Sequence, residues 1–284
     1  MDVPVLEGQL QLYEGAAEFK ASLAGWQTRK EHGVLFEFLE SPEAIAKIQP
    51  GIHPRFTHAA FTPEWKNVVH PAQWTQYLAD AFKKLGGQIR IASINAIDLK
   101  DNSVLLKSND EDYEASYVVI AAGAWSKTLA QSIGDNLPLD TERGYNTTLP
   151  AGAFDLKTHI TFSNHGFVVT KAGQGIRVGG AVELGGLSLK PNYKRADVLL
   201  NKAAHFLPEL KVTGGEQWMG FRPSMPDSLP VIDYATQSKR VIYAFGHGHL
   251  GLTQSAGTAE LVSDLLAERQ ISISMRPYSA TRFQ

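Results

Sequence analysis

The segment YAFGHGHLGLT, at residues 243–253, places three glycines, two histidines and a threonine between an apolar run and a helix-like run. A strand that ends in glycines and opens a helix brings free backbone N–H groups to one point, where an anion or a polar oxygen is stabilised. Glycine also permits positive φ and close approach to the backbone. We interpret Gly246, Gly248 and Gly251 as a binding turn capped by Thr253, although an ordinary tight turn uses the same residues.

The two histidines of this turn, His247 and His249, are spaced two residues apart. A protein zinc site needs three or four ligands, and no third ligand is evident nearby, so we predict no metal site. The histidines are possible catalytic groups, or else structural polar residues of the loop. The turn is not a phosphate-binding G-x-G-x-x-G unit, because no βαβ unit and no acidic residue about 20 positions further on accompany it.

A second glycine turn lies in YVVIAAGAWS, at residues 117–126. The apolar strand 117–121 shows no alternation, which predicts burial on both faces, as in a parallel sheet. Gly123 then leads into a helical stretch, with Ser126 as a plausible cap. The segment is either a simple strand–helix turn or a backbone edge against which a cofactor lies.

The third motif is GFRPSMPDSLPVI, at residues 220–232, which combines one arginine with three prolines and few other charges. Pro223 restricts the backbone of Arg222 to an extended conformation. A rigid arginine among apolar neighbours suits bidentate recognition of a carboxylate. The alternatives are a surface arginine or a salt bridge to Asp227, which is otherwise a turn former.

Composition excludes several classes of protein. The chain has 284 residues, 43% of them hydrophobic, with a net charge of -2 and no cysteine. Disulfides, thiolate catalysis and cysteine-ligated metals are therefore excluded, and nothing indicates nucleic-acid binding. No apolar run reaches the roughly 18 residues of a membrane span, and the N-terminus lacks a signal-peptide pattern. We expect a soluble, cytoplasmic protein.

Hydrophobic spacing and turn residues predict helices and strands mixed along the chain, in an α/β or α+β arrangement. Ser41 with Pro42 opens a short helix, and His70 with Pro71 opens a longer one that Gly86–Gly87 ends. A β-meander follows from 88 and turns at Asp101–Asn102, and antiparallel strands lie within 140–190, with a hairpin at Ala172–Gly173. A helix is predicted at 194–207, with Val198, Leu199, Ala203 and Phe206 on one side. The last elements are a strand at 239–245 and a helix at 255–268.

Taken together, YVVIAAGAWS, GIRVGGAVELGG, GFRPSMPDSLPVI and FGHGHLGLT resemble the superfamily of FAD-dependent D-amino acid dehydrogenases and oxidases. They occur in the family's order and at its usual separations, and VVHPAQWTQYLADAFKKLGGQI resembles the family's segment of proline, helix and glycines. The resemblance covers nearly the whole chain. It is closest to bacterial D-amino acid dehydrogenases; glycine, sarcosine and D-amino acid oxidases are more distant.

Family members open with a strand, a G-x-G-x-x-G turn and an acidic residue for the adenosine ribose, whereas this chain starts inside the pattern, near GQLQLYE. We therefore expect the C-terminal portion of such an enzyme. The resemblance implies a mixed α/β and α+β fold, with an incomplete FAD-binding Rossmann-like domain and an antiparallel β-sheet substrate domain with flanking helices. The implied segments are 1–64 and 141–225 for the substrate domain, and 65–140 and 226–284 for the FAD-binding domain.

The resemblance also implies roles for single residues. Arg222 matches the arginine that binds the substrate carboxylate. Tyr145 is a candidate for the substrate carboxylate or amine, or else packs in the sheet, and Glu183 is a candidate for hydrogen bonds in the sheet or at the flavin. No residue is assigned as an acid or base. The residues implied to face FAD are Ala122, Gly123, Ala124, Trp125, Gly246, His247, Gly248, His249, Leu250, Gly251, Leu252 and Thr253.

The implied reaction is oxidative deamination of a D-amino acid to a 2-oxo acid and ammonia, with FAD as cofactor. Three hypotheses stay open: a dehydrogenase that passes electrons to a quinone or another acceptor, a glycine- or sarcosine-type oxidase that makes hydrogen peroxide, and an inactive fragment or subunit that needs a partner to bind FAD. The expected partners are a small amino acid, an electron acceptor and no nucleic acid. A partner chain, an oligomer and peripheral association with the inner face of the membrane are also compatible.

Overall fold

The computed structural model describes residues 5–283, whose secondary structure comprises strands, α-helices and short 3-10 turns. The strands are β1 (Val5–Tyr13), β2 (Glu37–Leu39), β3 (His58–Val68), β4 (Ile94–Leu99), β5 (Val104–Ser108), β6 (Tyr113–Ala115), β7 (Val118–Ile120), β8 (Asp140–Leu149), β9 (His159–Phe162), β10 (Phe167–Ala172), β11 (Gly175–Leu184), β12 (Glu216–Ser224), β13 (Val231–Ala235) and β14 (Ser238–Phe245). The α-helices are α1 (Ala16–Glu31), α2 (Pro42–Ile48), α3 (Pro71–Lys84), α4 (Ser126–Ser132), α5 (Lys194–Phe206) and α6 (Gly251–Leu266).

The chain forms two compact units that alternate along the sequence. The first unit contains the described residues up to Gly87, together with Gly144–Val182 and Lys190–Gly220. The second unit contains Gln88–Arg143, Glu183–Leu189 and the described residues from Phe221 onward. The four segments implied by the resemblance have boundaries at other residues, and their assignment to a substrate domain and an FAD-binding domain stays a prediction.

The first unit is organised around one long sheet. Eight strands lie in the order β12-β8-β11-β10-β9-β1-β3-β2. Strand β1 pairs antiparallel with β3 and parallel with β9, and β9, β10 and β11 follow one another antiparallel. The antiparallel strands and the hairpin turn after Ala172 agree with the sequence prediction. Alternate residues of these strands, such as Leu10, Ile160 and Val178, enter a continuous apolar core with Phe206 of α5.

Helix boundaries in the first unit follow local capping chemistry. The hydroxyl of Ser41 accepts a hydrogen bond from the Ala44 amide at 3.2 Å, and Pro42 is the first residue of α2, as predicted. The predicted helix at 194–207 is confirmed as α5. The predicted apolar side of α5 is wrong at one residue. Val198 is 55% exposed, and Ala196 is buried instead.

Helix α3 also forms where predicted, beginning with Pro71, but its apolar stripe is not buried among the described residues. Leu78 and Phe82 are 46% and 51% exposed, and Leu85, which caps the helix, is 89% exposed. The spacing therefore predicts the helix correctly and indicates an amphipathic face, without identifying what the face contacts.

The second unit contains two small sheets. The predicted meander is confirmed as β4-β5-β6, and β7 pairs parallel with β14, which pairs antiparallel with β13. Asp135, buried outside these sheets, accepts hydrogen bonds from the Tyr243 hydroxyl at 2.6 Å and from the Thr236 amide at 2.9 Å. Burial and this carboxylate raise the pKa of Tyr243, which stays protonated as the donor.

No helix within residues 5–283 combines the length and the apolar character that crossing a bilayer requires.

We predict that Gly175→Ala lowers the melting temperature of the protein. A Cβ atom at this position would overlap the carbonyl oxygen of Leu149, so neighbouring backbone must move, at a cost of about 1–3 kcal/mol or more in the free energy of unfolding. The matched control is Gly257→Ala, because a Cβ atom there meets nothing within 4 Å and alanine favours the helix. The melting temperatures of the two variants are measured by thermal unfolding monitored with circular dichroism. Equal melting temperatures for the two variants would contradict this account.

Candidate cofactor and carboxylate site

The first glycine turn connects β14 to α6 and leaves the start of the helix uncapped by a side chain. Gly246 and Gly248 have positive φ angles of 89° and 56°. Leu250 is the N-cap residue and α6 begins at Gly251, so the predicted cap at Thr253 is wrong, since Thr253 lies inside the first helical turn. The first-turn N–H groups of a helix lack intrahelical acceptors and carry partial positive charge, so this turn suits a polar oxygen or an anion.

Parallel pairing brings the second glycine turn to the same sheet edge as the first. Val241 pairs with Val118 and Tyr243 pairs with Ile120, so β7 and β14 run in one direction and end together. The turn after β7 contains Gly123, whose φ is 55° and whose Cβ position has no atom within 4 Å. Two strand ends with bare backbone therefore lie side by side, which is the usual ligand edge of a parallel sheet.

Two expectations for the second turn are wrong. Strand β7 is not buried on both faces, because it is the edge strand of its sheet and Val119 is 39% exposed. Ser126 does not cap a helix, because it is the first residue of α4 and Trp125 is the cap. Trp125 itself is 56% exposed, and its ring meets that of Phe221 edge-on at 5.8 Å.

The arginine turn is joined directly to the first glycine turn. The Gly248 amide donates a hydrogen bond to the Pro223 carbonyl at 2.7 Å, and Ser224 forms an antiparallel bridge with His247. Arg222, the residue before Pro223, is therefore held beside the backbone that precedes α6. All three motifs singled out from the sequence meet within the second unit.

The electrostatic surroundings of Arg222 preserve its positive charge. Partial burial lowers the pKa of its guanidinium and the carboxylate of Glu142 raises it, and the ordinary pKa of arginine is far above neutrality. Asp227 is not its ion-pair partner. The Asp227 carboxylate binds the guanidinium of Arg282 at 2.7 Å and accepts from the Leu229 amide at 3.1 Å, so it acts as a turn former.

The two histidines of the first turn differ in their surroundings. The Nε2 atom of His247 lies 2.9 Å from the hydroxyl of Thr258 on α6, which ties the turn to the helix. Burial lowers the pKa of His247, so its ring is neutral at pH 7. The ring lines a pocket of about 530 Å³ beside Ala244 and Ser255. His249 is exposed, and within residues 5–283 no three acidic, histidine or cysteine side chains are grouped as a metal site would require.

Two of the motifs, and the residue that follows the first motif, each have one buried polar atom without a hydrogen-bond partner in the described part of the chain. These atoms are the hydroxyl oxygens of Ser126 and Ser224 and the amide oxygen of Gln254. Buried polar groups in folded proteins are normally satisfied, and exceptions indicate an unseen partner. With the bare turns, these atoms make the site compatible with a large polar cofactor.

Tyr145 and Glu183 each make a contact within their own unit. Tyr145 is a buried residue of the first unit, and its hydroxyl accepts a hydrogen bond from the Asn192 amide at 3.1 Å. Glu183 lies in the second unit, 3.7 Å from the guanidinium of Arg143. Their roles at substrate or flavin stay predictions.

Sequence reasoning missed Arg143. Its side chain is fully buried, and its Nε atom donates to the Gly186 carbonyl at 2.7 Å. The available signal was a cation in the segment RGYNTTL, which in a buried strand requires a partner. The partner could not be identified, because it lies 40 residues further along the chain.

Comparison with known proteins identifies the class of protein. A family model for FAD dependent oxidoreductases matches residues 3–265. A D-amino-acid oxidase of Bradyrhizobium diazoefficiens is 35% identical over 281 residues, which cover 97% of this chain and 66% of the relative. The chain belongs to the family of FAD-dependent oxidoreductases, and the resemblance drawn from its motifs is confirmed.

Two further comparisons define the extent of the match. A D-amino acid dehydrogenase of Paramagnetospirillum magneticum is 30% identical over 294 residues, covering 98% of this chain and 67% of the relative. The chain thus spans about two thirds of the length of these curated relatives. The crystal structure of glycine oxidase from Geobacillus kaustophilus matches with a TM-score of 0.90 at 23% identity, covering 100% of this chain and 77% of that one, and it confirms the mixed α/β fold.

We predict that Gly246→Ala destabilises the protein more than Gly248→Ala does. A Cβ atom at Gly246 would lie 2.7 Å from Cγ of Met225, in addition to the strain of its positive φ, whereas at Gly248 the nearest atom is the Ser224 hydroxyl at 3.6 Å. The Gly248 variant should lose about 1 kcal/mol from backbone strain, and the Gly246 variant should lose that amount plus an overpacking cost of about 1–3 kcal/mol. Denaturant unfolding measures the difference. A Gly248 variant as unstable as the Gly246 variant would contradict it.

Proposed function

We propose that this protein acts in the FAD-dependent oxidative deamination of D-amino acids. The observation that supports the proposal is the 2.7 Å hydrogen bond from the Gly248 amide to the Pro223 carbonyl, which holds Arg222, the predicted carboxylate anchor, beside an uncapped helix start. The match to a D-amino-acid oxidase and a D-amino acid dehydrogenase supports the choice of substrate class.

The residues of the site fit FAD. Gly123 and Gly248 offer backbone with almost open space at the Cβ position, and the start of α6 offers N–H groups without a side-chain cap. Such a helix start stabilises negative charge, and reduced flavin gathers negative charge on its pyrimidine side. Ala122, Ala124 and Trp125 would lie along the cofactor beside Gly123. When bound, FAD supplies the acceptor for the hydride that leaves the substrate Cα.

Arg222 would hold the substrate by its carboxylate. A guanidinium forms two parallel hydrogen bonds with a carboxylate, and Pro223 stiffens the backbone that carries it. Anchoring one end of a small amino acid fixes the direction of its Cα–H bond, which is a positional contribution to the rate. The substrate loses a hydride from Cα and a proton from nitrogen, and water then converts the resulting imine into a 2-oxo acid and ammonia.

The neutral state of His247 supports a structural role rather than one as a proton donor. Its Nε2 atom is engaged with Thr258, and burial lowers the pKa of its ring. A substrate amine that arrives neutral needs no strong base, so we assign no catalytic acid or base. Oxygen and a quinone are both compatible acceptors, and association with a partner chain or with the membrane surface stays a prediction.

The proposal is tested in two steps on the purified chain. The visible absorption spectrum is recorded after adding FAD and removing the free cofactor, and a panel of D-amino acids, glycine and sarcosine is then assayed with an artificial electron acceptor. Retained flavin with turnover of D-amino acids supports the proposal. Absence of retained flavin would overturn the proposal for this chain alone and favour a fragment or subunit that needs a partner to bind FAD. Retained flavin without D-amino acid turnover would overturn the substrate assignment. Hydrogen peroxide measured in parallel distinguishes oxygen from other acceptors.

We predict that Gly248→Ala weakens FAD binding by about tenfold or more, because a methyl group blocks close approach to the backbone. Its cost to the fold is the backbone strain of about 1 kcal/mol alone, since the added atom has only ordinary contact with Ser224. Flavin retained per protein, measured by absorbance after gel filtration, is the readout. Gly257→Ala, with open space at its Cβ position, is the control and should retain FAD like the unmodified chain. Equal retention by both variants would remove Gly248 from the cofactor site.

We predict that Arg222→Gln raises KM for D-amino acids and lowers kcat/KM by about 100-fold, because a bidentate ion pair to the carboxylate is lost. The exposed Arg276 of the same unit provides the control, and Arg276→Gln should leave both constants unchanged. Steady-state kinetics with the flavin-saturated protein measures the effect. Unchanged constants for the Arg222 variant would exclude it as the carboxylate anchor.

A further inference from the structure

The first unit contains a pocket that the proposed reaction does not use. Its volume is about 650 Å³, and it is lined by the end of β3, the start of α3, the β10–β11 hairpin and parts of β8 and β12. The lining residues that matter below are Arg177, Glu216, Trp218, Thr148, His70 and Gly173. We call this space the Arg177 pocket.

Backbone contacts hold the walls of the Arg177 pocket in place. The Gly173 amide, in the hairpin turn, donates to the Val69 carbonyl at 3.2 Å. The His70 ring lies directly over Gly173, because a Cβ atom there would be 2.8 Å from the ring carbon Cε1. Gly175 approaches the Leu149 carbonyl too closely for any side chain. The pocket is therefore shaped by the fold itself, which reduces the cost of ordering it around a ligand.

Arg177 contributes a partly dehydrated positive charge to this pocket. Its Nε atom donates to the Thr148 hydroxyl at 3.1 Å, and it forms no ion pair with any residue between 5 and 283. Burial lowers the pKa of its guanidinium, with no carboxylate to offset the loss of hydration. When a half-buried guanidinium has no anionic partner in the fold, an anion bound from outside is the best compensation for its lost hydration.

Glu216 contributes an opposite charge to the same pocket. Its carboxylate is on the exposed side of the lining and, in the part of the chain that the structure describes, has no ion-pair partner either. Although both charges line one pocket, Glu216 and Arg177 do not pair with each other. A ligand that neutralises both must itself carry separated negative and positive groups.

Trp218 contributes the apolar surface of the pocket. Its indole is 61% exposed, and the ring lies against Gly220, where a side chain would overlap it. A large aromatic surface of this kind binds apolar groups at low conformational cost.

From this arrangement we propose that the Arg177 pocket binds a free α-amino acid with an apolar side chain. Arg177 binds the carboxylate, Glu216 binds the ammonium group, and Trp218 packs on the side chain. The inference is independent of the reaction proposed above, because it uses no residue of the second unit.

The test is calorimetric titration of the 284-residue chain with L-leucine, an enantiomer outside the proposed D-amino acid substrates. Arg177→Gln and Glu216→Gln are each expected to weaken binding about tenfold or more, because each removes a charge-assisted contact. Arg222→Gln is the matched control and is expected to leave binding unchanged. Leucinamide and 4-methylpentanoate, which lack the carboxylate and the ammonium group respectively, should each bind the unmodified chain more weakly than leucine.

The outcomes separate this pocket from the proposed reaction site. Absence of L-leucine binding, or binding unaffected by Arg177→Gln, overturns the proposal. Binding lost in the Arg222 variant and kept in the Arg177 variant also overturns it, by locating the amino acid at the other arginine. Because Arg177 is partly buried, melting temperatures are compared first. If that variant does not fold, Glu216→Gln and the two analogues are used instead. L-leucine binding unaffected by Glu216→Gln, or analogues that bind as tightly as leucine, then overturns the proposal.

Discussion

The hydrogen bond from the Gly248 amide to the Pro223 carbonyl, at 2.7 Å, is the contact on which the geometry of the second unit's site depends. Arg222 directly precedes Pro223, and α6 begins three residues after Gly248. One backbone contact therefore fixes the position of the arginine relative to the start of the helix. The bridge between Ser224 and His247 extends the same pairing by one residue. The proposed carboxylate anchor and the proposed flavin-facing helix end would act together only at a constant separation, and a main-chain contact provides that constancy better than flexible side chains do.

The glycines of the site serve different physical purposes. At Gly246 a side chain would meet Met225, so the absence of a Cβ atom is a packing requirement of the fold. Gly248 and Gly123 have almost open space around the Cβ position, so packing alone does not require glycine there. Their φ angles of 56° and 55° favour glycine, and the open space beside them suits a ligand that approaches the backbone. Within one loop, therefore, packing requires glycine at Gly246, whereas Gly248 is available for the proposed contact with a ligand.

Local patterns predicted the elements, and tertiary contacts decided what the patterns could not. The Ser41 cap and the proline that begins α3 act within a few residues, so their helices begin where the sequence indicates. Burial of Val119 and Val198 was mispredicted, because an edge strand and a helix flank look apolar in sequence whether or not anything covers them. Helix α1 has no single apolar stripe and went unpredicted; Trp26 anchors it through a 2.7 Å hydrogen bond to the Tyr13 hydroxyl. The three site motifs were visible because strand, turn and helix start are consecutive in sequence, while the Arg143–Glu183 pair was not.

Three arginines show why residue type alone does not reveal a binding role. Arg143 is fully buried beside Glu183, with the Gly186 carbonyl and the Phe221 ring completing its surroundings, so its charge is used inside the fold. Removing either charge of such a buried pair leaves the other uncompensated, so the loss of one partner destabilises the fold. Arg222 is partly buried near Glu142, and the partly dehydrated guanidinium of Arg177 has, within residues 5–283, only the Thr148 hydroxyl as a hydrogen-bond partner. The cost of dehydrating a guanidinium falls when an anion arrives, so the arginine whose charge the fold compensates least has the most to gain from a ligand. By that criterion Arg177 is as strong a candidate for binding a carboxylate as the arginine that the family motif singles out.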